Sequence, residues 1–464
     1  MDLLLGTIGS VKMPNILNFP NWEILSIEET AHNRLVRAQP LDEPMCHTCE
    51  GTTLYRFGTK DQLYLDLSTL NKRTGIQINR QRFKCRDCKT VFWQPLDVMD
   101  ETRRMTKRLV EYLKQASLKK TFASLAEEIG VTEGLVRQIF KDHVAQLEKQ
   151  YTPQFPKWLG MDEIYLLKKS RCVFTNLEQS TIIEFLKSRD KDSVSVFLSK
   201  VKVAERRKVE IVAIDMWRPY RDLATVYFPQ ATVVIDKFHV VRMANDGLDE
   251  VRKTIKADLT PVQRRSLKRD RYILLKRNSD LNMTDLLFLD TWLKNFPDLA
   301  LAYRLKEEFY EIYTAQSKEA AIKRYRKWKD QIPTDPKHVI TQAYKPLVTA
   351  VENWQTEIFN YFDHPVTNSV TERLNGLARE VFRLGRGYSV EVLRAKLLFS
   401  EGVRVKKPGR FPRNWPVPTV GKDLPGDVLY NYLGLGSQVM PQPPELDFGA
   451  DISTLIEKLQ QGEI

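Results

Sequence analysis

Apolar and polar residues alternate with period two over residues 53–57, 62–67 and 76–83, which predicts half-buried strands. From 103 to 150 the period lengthens to that of a helix, with Leu109, Tyr112 and Leu113 on one stripe. A second helix is expected to stop at Gly130, which suits a left-handed turn, and Thr132 can cap the next. Strand patterns return at 157–167, 171–177 and 181–186, with gaps short enough for antiparallel hairpins. An amphipathic helix is expected over 192–203, a buried parallel strand over 208–215, a helix over 222–228 and a strand over 231–236. Residues 240–360 read as almost entirely helical, with Trp292, Phe309, Tyr313, Tyr325 and Trp328 at core spacings. Another helix is expected to begin near Asn368 or Ser369 and to carry Glu372 in its first turns.

The order β-β-β-α-β-α-β over 156–240 is that of a ribonuclease-H-like sheet: three antiparallel strands, then two joining in parallel. The whole chain is therefore expected to be multidomain α/β. An N-terminal segment (1–39) precedes a zinc ribbon (40–95) and a helix-turn-helix DNA-binding domain (100–150). The first part of the core (156–240) is followed by a helical segment (241–360) and a second part of the core (361–403). A Pro-rich acidic tail (404–464) ends in a short amphipathic helix over 452–459. Cys172 falls within a strand and reads as core.

Charge narrows the class of partner. The chain of 464 residues carries a formal net charge of +13, which favours a polyanion. Its 42% hydrophobic and 28% charged residues argue against wholesale disorder. No apolar run is long enough to span a bilayer. The first thirteen residues do not read as a signal peptide. Five cysteines are too few for a disulfide scaffold, so a cytoplasmic setting is expected.

Four of those cysteines form two pairs, Cys46/Cys49 and Cys85/Cys88. Two intervening residues let both thiolates of a pair reach one tetrahedral ion, so one structural Zn²⁺ is expected. Arg80, Arg82, Lys84, Arg86 and Lys89 surround the second pair, as a nucleic-acid contact or as a solvated strand face. The helices around Gly130 have the pattern of a helix-turn-helix, or of an ordinary helical hairpin. Ile129, Val131, Leu135, Val136 and Ile139 are placed to fill the wedge, and Arg137, Gln138 and Lys141 lie on the outer face of the second helix. Within 251–280, ten Lys or Arg stand against three acids. Arg264, Arg265, Lys268 and Arg269 are the candidates there for contacts to DNA phosphates.

The acids carry the candidate chemistry. Asp162 lies in the first strand of the sheet and Asp215 ends the fourth, and in this topology those strands are neighbours. Glu372 arrives from a distant helix. Three such carboxylates suit two Mg²⁺ ions acting on a phosphodiester, with Mn²⁺ able to substitute. Asp236, at the end of the fifth strand, is the alternative second Asp, one strand further from Asp162. His239 follows it as a supporting residue.

Several stretches together make the chain similar to bacterial insertion-sequence transposases of the ISL type (the ISL-three family), in the DDE class. They are Gly160-Met-Asp-Glu163, Ala213-Ile-Asp-Met-Trp-Arg-Pro-Tyr220, Val234-Ile-Asp-Lys-Phe-His-Val-Val-Arg242, Arg271-Tyr-Ile-Leu-Leu-Lys276, Ala302-Tyr-Arg-Leu-Lys-Glu307 and Thr367-Asn-Ser-Val-Thr-Glu-Arg-Leu-Asn375. The resemblance covers about residues 40–400. It implies a catalytic set of Asp162, Asp215 and Glu372, an Asp-x-x-His element at Asp236 and His239, and a helical insertion over 240–360. It implies binding to double-stranded DNA, both element ends and target, with no membrane partner. Cutting of the element ends, joining of them to target and a homodimer or larger synaptic assembly follow from the same likeness. A DNA-binding regulator without catalysis and a structure-specific nuclease are the rival readings. The family usually has Gly after the Glu, where this chain has Arg373, and the tail beyond about 410 departs from the family pattern.

Overall fold

A computed structural model describes residues 16–42, 44–256 and 259–399. The tail, its expected helix over 452–459 and the first fifteen residues lie outside the described residues. The chain divides into two compact units, Met1–Tyr151 and Thr152–Ile464.

The first unit is built on a long antiparallel hairpin, β3 (Leu54–Thr69) with β4 (Lys72–Cys85). The N-terminal segment, which the sequence reading left unassigned, supplies β1 (Trp22–Glu29) and β2 (Asn33–Pro40); β2 joins β4 in parallel. Short strands β5 (Val91–Trp93), β6 (Met99–Asp100) and β7 (Met105–Thr106) complete the sheet. The region expected to be helical from 103 thus begins as strand.

Three helices follow: α1 (Lys107–Lys119), α2 (Phe122–Ile129) and α3 (Glu133–Gln150). Each opens on a threonine, Thr106, Thr121 and Thr132, whose hydroxyl accepts a hydrogen bond from the N–H three residues on. Gly130 ends α2 at φ +81°, and a Cβ there would come within 2.9 Å of Arg73 Cδ. Arg73 in turn donates to the Glu127 carbonyl at 2.8 Å. The helices are also tied to the sheet through buried Asp66, which accepts from Thr106 at 2.7 Å and is paired with Arg108.

The second unit holds a five-stranded sheet, in the order β10 (Thr181–Phe185), β9 (Lys169–Asn176), β8 (Trp158–Leu166), β11 (Ile211–Ile214), β12 (Thr232–Ile235). The first three strands are antiparallel, and β11 and β12 run parallel to β8. Most apolar residues of β8–β12 are buried, Cys172 among them, while Trp158 and Tyr165 of β8 are exposed. Helices α4 (Lys191–Lys200), α5 (Val203–Arg206) and α6 (Arg218–Tyr227) lie between the strands in sequence.

Among the described residues, eight α-helices follow β12 before the chain returns to the sheet. They are α7 (Lys237–Ile255), α8 (Pro261–Arg269), α9 (Arg271–Leu275), α10 (Met283–Asn295), α11 (Pro297–Ile312), α12 (Lys318–Lys329), α13 (Val339–Asn353) and α14 (Gln355–Phe359). Trp292, Phe309, Tyr325 and Trp328 are core residues, with Tyr313 partly buried against them. The return is made by α15 (Ser369–Gly385) and α16 (Val390–Phe399). Arg394 of α16 forms a two-pronged ion pair with buried Glu184 of β10, at 2.6 and 2.8 Å.

Candidate active site

The sheet register sets the site. Ile214 of β11 pairs with Met161 of β8 on one side and Ile235 of β12 on the other. One residue further on, Asp215 therefore stands level with Asp162 and with Asp236. Three carboxylates thus form a row across adjacent strands, with roughly 4.8 Å between neighbouring strands.

Helix α15 crosses this row. Its approach is allowed by Gly160, where a Cβ would lie 2.3 Å from Thr175 Oγ1 and 2.9 Å from Asn368 Oδ1. Thr371 and Thr175 share a hydrogen bond of 2.7 Å between helix and strand. Asn375, 4% exposed, donates to Asp162 Oδ2 at 3.2 Å and to the Glu163 carbonyl at 3.4 Å. Glu372 lies one turn earlier on the same helix and is exposed.

Burial and crowding raise the acids. Asp162 is 4% exposed, and burial, then the charge of Asp215, push its carboxyl up to about 7. Burial also raises Asp215 and Asp236, opposed in both by His239. Arg189, ion-paired with Glu163 and 4.9 Å over the Trp217 ring, is a positive neighbour of Asp215. Asp215 Oδ1, Asp236 Oδ2 and His239 Nε2 are buried with no hydrogen-bond partner. Buried acceptors without donors are what a cation would satisfy, so the residues present fit divalent metal.

The structure groups the candidates differently from the sequence reading. Ligand atoms of Asp236, His239 and Glu372 lie within 4.8 Å of one another. Among the described residues, the set of Asp162, Asp215 and Glu372 forms no such cluster. Asp236, one strand further from Asp162, is nonetheless the carboxylate that meets Glu372. Gly160, Arg189 and Asn375 were not picked out by sequence. Asn375 had a usable signal, since three residues past Glu372 places it on the same helix face.

The cysteines converge as their spacing predicts, with all four sulfurs within 4.8 Å. Cys46 Sγ lies 3.5 Å from Cys88 Sγ, and Cys49 Sγ 3.6 Å from Cys85 Sγ. The two turns match: Cys46 N–H bonds to the Gly51 carbonyl, Cys85 N–H to that of Thr90, and Glu50 and Lys89 take positive φ just past each pair. The Thr90 hydroxyl and amide bring Cys88 down to about 6. Cys49, despite the lowering effect of Gly51, is pushed up to about 12 by the thiols of Cys88 and Cys85. Four thiols at these separations fit one tetrahedral zinc.

The basic candidates divide. Arg80 is no free surface charge: it is 5% exposed, makes two bonds of 2.8 Å to Glu101 and one of 2.7 Å to the Gln94 carbonyl. Its side chain faces the interior of the sheet, so it leaves the contact set. Arg82 lies over the rings of Phe57 and Trp93 at 5.5 and 5.6 Å. Arg137 pairs with Glu133 and sits 4.8 Å over Phe122, while Gln138 donates to Asp142 and Lys141 is exposed. On α8, buried Leu267 turns Arg264, Arg265, Lys268 and Arg269 outward, all four exposed. Arg252, in the same basic run, is buried against Asp249 at 2.8 Å.

The chain is similar to known proteins. Residues 159–397 match a family model described as a transposase, and residues 42–88 match one described as the zinc-finger of transposase IS204/IS1001/IS1096/IS1165. The chain is 22% identical over 349 residues to the transposase for insertion sequence element IS1001 of Bordetella parapertussis, covering 74% of this chain and 85% of that one. It is 24% identical over 283 residues to the transposase for insertion sequence element IS1557 of Mycobacterium tuberculosis, covering 54% of this chain and 62% of that one. Among the described residues, no helix is long and apolar enough to cross a membrane.

Proposed function

The chain belongs to the ISL3 family of transposases, whose model covers residues 159–397 of its 464, and on that footing we propose that it cuts the ends of an insertion sequence and joins them to target DNA. The observation that carries the reading is the row of Asp162, Asp215 and Asp236 beneath α15, with orphaned buried acceptors facing it. A ribonuclease-H-like core accounts for that row, because its fourth and fifth strands bring two acids level with one from the first.

In this reading Asp162, Asp215 and Glu372 hold two Mg²⁺ ions, with Mn²⁺ able to substitute and Asp236 as the alternative second Asp. Bound there, the metal activates a water or a 3′-hydroxyl and stabilises the leaving oxygen. The chain's own residues prepare the acids for this. Asn375 fixes the Asp162 carboxylate by its amide N–H. Thr371 and Thr175 hold α15 to the sheet, so that Glu372 is presented at a constant height. The zinc ribbon and the helices α2 and α3, read as a helix-turn-helix, bind the terminal inverted repeats through Arg137, Gln138 and Lys141. The exposed cations of α8 hold phosphates without regard to sequence. Pairing of two ends requires a dimer or a larger assembly, acting in the cytoplasm.

The test is to incubate the full chain with end DNA, a plasmid target and Mg²⁺. Inserted ends support the transposase. Cleavage without insertion favours a structure-specific nuclease, and binding without either favours a regulator.

A further inference from the structure

We infer that Asp236, His239 and Glu372 make a cation position of their own, suited to a first-row divalent transition ion rather than to Mg²⁺. The inference rests on the reading above only in taking Glu372 as a metal ligand. Three observations carry it.

The first is convergence. One ligand atom from each of the three residues lies within 4.8 Å of the other two, and Asp162 and Asp215 stand outside the group. The second is the state of the donors. Asp236 is 0% exposed; one of its oxygens accepts the Phe238 N–H at 3.3 Å, and the other is buried without a partner. His239 Nε2 is likewise buried without a partner. A carboxylate oxygen and a ring nitrogen left so beside an acid are costly unless a cation meets them. The third is how the donors are held. Asp236 caps α7 and His239 lies in its first turn, the N–H of His239 bonding to the Asp236 carbonyl at 3.2 Å. The pair is thus fixed on one short rigid element, and α15 brings the third ligand.

The donor set decides the ion. Asp162 and Asp215 offer only oxygen, which suits Mg²⁺. An imidazole nitrogen suits transition ions such as Fe²⁺ or Zn²⁺ and is a poor ligand for Mg²⁺, while Mn²⁺, which also takes carboxylates, can accept it. The row of acids therefore has an all-oxygen end at Asp162 and a mixed nitrogen–oxygen end at His239.

Pulsed electron paramagnetic resonance of the full chain with Mn²⁺, in the absence of DNA, tests this directly. The expected result is a ¹⁴N coupling from a directly bound nitrogen, which is kept in Asp162→Ala and lost in His239→Ala. Competition with Mg²⁺ should show the nitrogen-coupled Mn²⁺ retained when Mg²⁺ is in excess, a preference that His239→Ala removes. Bound Mn²⁺ without ¹⁴N coupling in the unaltered protein would overturn the inference. So would a coupling that persists in His239→Ala, or no binding of Mn²⁺ at all. The unaltered chain supplies the decisive spectrum, so a variant that fails to fold does not blunt the test. Mg²⁺-dependent cleavage of end DNA by the same preparation judges the transposase reading separately.

Discussion

The two candidate metal sites are made in opposite ways. The four cysteines come in two short pairs on matching turns, and each pair could grip an ion by itself. The acids come from the middle of one strand, the ends of two others and one remote helix, and no two of the proposed ligands Asp162, Asp215 and Glu372 share an element. The sulfur cluster depends on local spacing, whereas the carboxylate row depends on sheet register and on how closely α15 can lie. Damage to the first should therefore be felt as lost structure, and damage to the second chiefly as lost chemistry.

The largest effect belongs to the cysteines. Cys85→Ser should abolish zinc binding and forfeit a contribution on the order of 10 kcal/mol. Elemental analysis and thermal unfolding of the full chain measure both, and an undiminished single zinc would break the contrast at once. On the other side, Asp162→Ala, Asp215→Ala and Glu372→Ala should each slow DNA cleavage by on the order of 10³-fold and leave end binding intact. Normal cleavage by Asp215→Ala beside an inactive Asp236→Ala would move the second ligand to β12.

The acids should also cost the metal-free protein stability. Asp162 titrates at about 7 when folded against an ordinary 3.8. Between those values the folded chain keeps a proton that the unfolded chain has lost. Stability without metal should fall as pH rises from about 4 to about 7 and then level off. Asp162→Asn removes that penalty, so in chelator it should be more stable than the unaltered protein at pH 8, by on the order of a few kcal/mol, and equal near pH 3. Coincident melting curves at pH 8 would show that the carboxylate is not under strain from its surroundings.

A smaller change sharpens the role of register. Gly160→Ala places a methyl group against Thr175 and Asn368, so it should destabilise by about 1–3 kcal/mol. It should lower cleavage through displacement of α15 although every acid remains. Unchanged melting and cleavage would mean that the helix can shift without consequence. The smallest effect is electrostatic. Replacing Arg264, Arg265 and Lys268 with Ala should weaken binding to all duplexes and flatten its salt dependence by a slope of about 0.9 per lost phosphate contact. A salt series on end and random DNA checks it; loss confined to end DNA would assign α8 to sequence recognition instead.

Much of this was legible in the chain because the signals are short in range. The paired cysteines, the stop at Gly130, the cap at Thr132 and the strand periods from 157 to 236 each depend on residues a few positions apart. The hairpins followed from the lengths of the connections, and the nearness of Asp162 and Asp215 from the likeness of the element order to a ribonuclease-H-like sheet. What escaped depends on distant meetings. Arg80 looked like one more surface charge until Glu101 and the Gln94 carbonyl closed around it. Strands β1 and β2 pair with each other, and β2 joins the hairpin through β4, a meeting that their own sequence did not announce. The meeting of Asp236 with Glu372 is fixed by where α15 lands, and periodicity says nothing of that.

The long helical passage between β12 and α15 also sets the order in which the protein becomes complete during synthesis. The cysteines that meet across the ribbon are 42 positions apart and can close early. Asn375 reaches Asp162 across 213 positions. With translation at about 5–20 residues per second, the fourth acid follows the third by on the order of ten seconds. Throughout that interval the nascent chain already has its whole zinc-ribbon unit and does not yet have the helix that completes the row of acids.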